Sequence, residues 1–86
     1  MATTISNHVG LRYEVACDVI GAVISHHASV IGMEREKDVA DQMVIAESLA
    51  AQRELDAERD ALHLDDEAGI EAAIRKYGPM ARAMFG

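Results

Sequence analysis

Cysteine occurs once (Cys17), proline once (Pro79), tryptophan never, and the other aromatics number three: Tyr13, Tyr77 and Phe85. One cysteine excludes an internal disulfide. So few aromatics leave the apolar content to Ala, Val, Ile, Leu and Met, the composition of packed helices. Cations are also scarce, with eight Lys plus Arg against fifteen Asp plus Glu and a formal charge of −7. Such a balance repels a phosphate backbone and attracts a basic protein partner.

The usual marks of chemistry are missing as well. His8, His26, His27 and His63 contain no i,i+4 pair, and Gly10, Gly21 and Gly32 fit no G-x-G-x-x-G pattern. Adjacent His26 and His27 diverge by about 100° on a helix, so they do not make a metal pair. No glycine elbow surrounds a serine, and Cys17 in an apolar helix reads as a small buried hydrophobe rather than a nucleophile. The expectation is a protein that is not an enzyme, with no cofactor and no metal.

What is present centres on Val15–Met33, VACDVIGAVISHHASVIGM, in which Asp18 is the single formal charge. On a helical wheel one broad arc gathers Val9, Tyr13, Ile20, Val23, Ile24, His27 and Ile31, with Val19 and Val30 at its edge. A second arc gathers Gly10, Cys17, Gly21, Ser25, Ala28 and Gly32. Glycines inside a helix cost about 1 kcal/mol each against alanine, a cost that close packing offsets. The groove suits either a neighbouring helix of the same chain or a two-fold contact with a second copy. Here Cys17, Gly21, Ser25, Ala28 and Gly32 are read as the self-association groove, with the bulky arc turned to the chain's own second helix. Length alone also allows a membrane span. Asp18, His26 and His27 oppose it, being costly at that depth, and no aromatic belt flanks the far end.

A chain of 86 residues makes one domain and buries only about 60% of its unfolded surface, which leaves it marginal without a partner. The fold class expected is all-α: a long helical hairpin, a third helix and a short C-terminal helix, assembled as a homodimeric bundle. Capping and periodicity place the helices near residues 6–34, 38–64, 66–77 and 79–85. Glu34–Asp38 reads as a solvated charge run at the hairpin turn, one long bent helix being the alternative. Asp38 is the candidate cap of helix two, with Asp41 in its first turn. That helix has two apolar seams: Val39, Met43, Ala46, Ala50 and Ala57, and about 140° away Val44, Ala51, Leu55 and Leu62. Asp65 or Asp66 caps the third helix, whose stripe is Ile70, Ala73, Ile74 and Tyr77. Gly78-Pro79 is read as the end of that helix and the start of the next.

His27, mid-arc, is expected as a buried polar residue satisfied by Ser48, Glu47 or Gln42. Between Glu54 and Glu71 stand eight carboxylates, which serve solubility or a basic partner. Glu54, Glu58, Asp65 and Asp66, with Met80, Met84 and Phe85, form the expected partner surface. The opening MATTISNH lacks a positive stretch before an apolar core, which points to a cytoplasmic site. The function expected is a small acidic interaction protein: an adaptor, regulator or inhibitor that binds another protein, with no direct nucleic-acid or membrane binding. The alternatives are an acidic nucleic-acid mimic and a helical metal-binding protein using His26, His27 or His63.

Overall fold

The structure, a computed structural model, describes the backbone of residues 2–85 and the side chains of His8 to Phe85. It holds three α-helices and, among the described residues, no strand: α1 Ala2–Arg35, α2 Gln42–Ala61 and α3 Glu67–Phe85. With 34 residues, α1 is about 51 Å long at 1.5 Å per residue. It reaches back to Ala2 because no glycine or proline interrupts residues 2–9. Thr3, Thr4, Ser6 and Asn7, any of which could cap a helix starting near residue 6, lie outside the described side chains.

The hairpin turn is confirmed over the through-helix, and its chemistry differs from a solvated charge run. Glu34 is buried at 6% exposure. Its carboxylate accepts from Lys37 Nζ at 2.9 Å and from the Asp41 backbone N–H at 2.9 Å. Lys37 N–H also donates to the Glu34 carbonyl at 3.2 Å. This clasp holds residues 36–41 out of the helix, so α2 begins at Gln42 rather than at Asp38. Asp41, not Asp38, is the cap, accepting from the N–H groups of Met43 and Val44.

At the other end of α2 the chain turns over residues 62–66. Asp66, rather than Asp65, caps α3 by accepting from Gly69 N–H at 3.0 Å. A Cβ at Gly69 would run into that carboxylate. A side chain at position 69 would therefore force the Asp66 carboxylate to shift.

Gly78-Pro79 does not break the chain into two helices; α3 is continuous through it. Proline normally clashes with the N–H and Cβ of the residue before it. Gly78 has no Cβ, so the residue read as a terminator is the one that lets the helix pass. Beyond the proline, Met84 packs on the core cluster and keeps the last turns docked.

Both α2 and α3 pack along α1 and not, backbone to backbone, on each other. From the hairpin α2 runs antiparallel to α1. Arg12 meets Glu71 near the start of α3, and Tyr77 joins the Ile20 cluster farther along, so α3 runs parallel to α1. Ile20, Val23, Leu55 and Tyr77 form the core, bordered by Val19, Ile24, Leu62, Ala73 and Met84. Of the two α2 seams, the one with Val44, Ala51, Leu55 and Leu62 turns inward. The other stays in solvent, with Val39 and Met43 87% and 70% exposed, because α1 covers only one side of α2. The shape is long and thin, 59 × 25 × 17 Å, with a radius of gyration of 15.6 Å. A compact domain of this length would have about 12 Å.

Candidate interaction surfaces

Ala16, Ile20, Val23, Ile31 and Glu34 mark the buried line of α1. The bulky arc thus faces α2 and α3 as expected. Sequence reading missed Glu34, although it sits on the wheel beside Ala16 and Val23, within the buried arc. His27, by contrast, is half-buried rather than buried, because α2 covers only part of its side of α1. Its ring lies edge-on to His26, centroids 5.7 Å apart. The polar link between α1 and α2 there is made by Gln52, whose Nε2 donates to the Ile24 carbonyl at 3.2 Å.

The five groove residues do not share one environment. Cys17 and Gly21 are half-buried, and the Arg59 guanidinium of α2 stands 3.4 Å from where a Gly21 Cβ would lie. The neighbouring thiol of Cys17 holds the Tyr13 phenol above its ordinary range. Ser25, Ala28 and Gly32 are exposed, with nothing within 4 Å of a Cβ at Gly32. One half of the groove is occupied by the chain itself. The other half is open.

Farther round α1, away from α2 and α3, Leu11 and Met33 are 61% and 68% exposed. From His8 to Arg35 this helix is long and apolar enough to cross a membrane, yet only 22% of its apolar window is buried. The same open side carries only a thin polar strip of Glu14, Asp18 and Ser29, with His26 at its margin.

Where α2 and α3 diverge, a cavity of about 310 Å³ opens over Ile20, Leu62 and Ala73. Glu58, Lys76 and Tyr77 form its polar rim. The Tyr77 hydroxyl donates to the Glu58 carboxylate, and Lys76 Nζ stands 3.7 Å from the same carboxylate. Burial pushes the Tyr77 phenol up, and Glu58 adds to the effect. Lys76 is held above its ordinary value by Tyr77 and then Glu58.

The acidic surface is less continuous than its sequence. Glu58 bonds Tyr77, Asp66 caps α3, and Asp56 pairs with Arg59 at 3.1 Å. Glu71 takes a bidentate pair from Arg12 at 2.6 and 2.8 Å, which lowers the Glu71 pKa and raises that of Arg12. Glu54 and Asp65 are exposed, as are Met80 and Phe85. Met84 is half-buried, packed against the core, one helical turn from the exposed Met80. Among the described residues no group of three or more His, Cys, Asp and Glu converges on a metal-sized site.

No family model matches the chain, and no curated protein or solved structure matches it either. The class defined by the residues themselves is an all-helical chain of three helices whose longest helix is left largely uncovered.

Proposed function

We propose that this chain is a small, acidic, non-enzymatic interaction protein that self-associates through α1 and acts as an adaptor, regulator or inhibitor by binding another protein. The observation that carries the reading is that α1, the most apolar element, has only 22% of its apolar window buried. A protein–protein contact supplies the missing cover. A bilayer is the poorer cover. With α2 and α3 laid along α1, insertion would carry their charged backs into hydrocarbon, at roughly 2.5–3.5 kcal/mol or more per charge.

Light scattering on the purified chain tests self-association: a dimer is expected, and a monodisperse 9.3 kDa species at high concentration refutes it. A pull-down from native lysate, repeated with Phe85→Ala across a salt series, tests the second half. Binding that survives salt and is lost with Phe85→Ala supports a partner seated on the exposed end of α3. Binding that salt abolishes and Phe85→Ala leaves intact points instead to an acidic decoy of nucleic acid.

A further inference from the structure

Resting on that self-association reading, we propose that two copies pack α1 against α1, antiparallel and centred on Ala22. The contact is the back of α1, not the groove through Cys17 and Gly21, which α2 already occupies. At about 100° per residue, Leu11, Val15, Asp18, Ala22, His26, Ser29 and Met33 fall in one arc roughly 80° wide. That arc lies opposite the buried line of Ala16, Ile20, Val23 and Ile31. Leu11, Val15, Asp18, Ser29 and Met33 are exposed, and Ala22 and His26 half-buried.

The spacing of this strip reads the same in both directions. Steps of four, three and four residues lead from Leu11 to Ala22, and again from Ala22 to Met33. An antiparallel two-fold axis at Ala22 therefore sets Leu11 against Met33 of the second copy, Val15 against Ser29, and Asp18 against His26. Large apolar residues close both ends, and the smallest apolar side chain sits on the axis, where two backbones must approach. The acid meets an imidazole. A parallel pair would instead set Asp18 against Asp18. Among the described residues no ion pair engages Asp18 within the chain, so it is free to face the twin.

The surface area agrees in size. A compact monomer of 9.3 kDa exposes about 5,000 Å², whereas this chain exposes 5994 Å². The excess, roughly 1,000 Å², comes with the elongated shape and leaves room for one partner's share of a stable interface, about 800 Å². In the dimer the two α1 helices become the centre of a six-helix assembly, each covered by α2 and α3 on one side and by its twin on the other.

Disulfide trapping tests the register on the full chain, with Cys17→Ser removing the native thiol. Oxidised glutathione should convert Ala22→Cys into a covalent dimer on a non-reducing gel. Val15→Cys and Ser29→Cys should each stay uncrosslinked alone and crosslink when mixed. These three positions are exposed or half-buried, and circular dichroism on each variant checks that the helices persist. Crosslinking of Val15→Cys with itself would mean a parallel pair and overturn the proposal. A dimeric mass without an Ala22→Cys crosslink overturns the register while self-association stands. A monomeric mass overturns both.

Discussion

Glu34 shows how one side chain closes a hairpin. Its carboxylate is held below its ordinary value of 4.5, first by Lys37 and then by the Asp41 N–H, against the opposing effect of burial. A carboxylate depressed in the folded state stabilises the fold above its unfolded value and loses that contribution as pH falls through the folded one. The urea midpoint of the wild-type chain should therefore fall as pH drops below 4.5. Glu34→Gln should unfold at lower urea at neutral pH and change less over the acid range. An unchanged acid profile in the variant would show that the clasp contributes nothing. Glu71, lowered by Arg12, acts with the same sign. Glycines separate by what surrounds them. Gly10→Ala, with nothing within 4 Å of the new Cβ, should stabilise α1 by up to about 1 kcal/mol. Gly69→Ala displaces the Asp66 cap, a loss of roughly 0.5–2 kcal/mol that cancels the same gain. Thermal unfolding of the two variants side by side reads the difference.

Helices with clear punctuation were legible from sequence, and the misreadings have a common cause. The Asp65-Asp66 cap signal and the stripe Ile70, Ala73, Ile74 and Tyr77 place the start of α3 correctly, because cap and periodicity are local properties. Gly78-Pro79 is a local signal too, but tertiary packing overrides it: Met84 on the core rewards continuing the helix. Interior proline costs about 3 kcal/mol, so Pro79→Ala should raise the unfolding midpoint while leaving helix content unchanged, since α3 is already continuous. Gly78→Ala should lower stability although space is open around it, since a Cβ before proline disfavours the helical conformation. If Gly78→Ala proves stabilising, the glycine is not what lets the helix pass. The start of α2 was misplaced for a similar reason, since the residue that displaces it, Glu34, belongs to α1.

At the scale of the molecule, a long plate built on an apolar axis should depend on its own concentration. Association that favours only the folded form raises the melting temperature as protein is added. A scan over a wide concentration range should show that rise, and Leu11→Glu, placing a charge at the end of the exposed strip of α1, should flatten it. A melting temperature independent of concentration in the wild type would count against any assembly.

Composition and periodicity alone determined that the chain is helical and that its longest apolar run is its axis. These follow from residue type and from spacing along one helix. Only the tertiary structure decided that the chain turns back after Glu34, which seam of α2 turns inward, that Arg59 stands over Gly21, and that Met84 packs against the core. Each of those depends on where a second helix lies, and a wheel drawn for one helix carries no information about the azimuth of its neighbours.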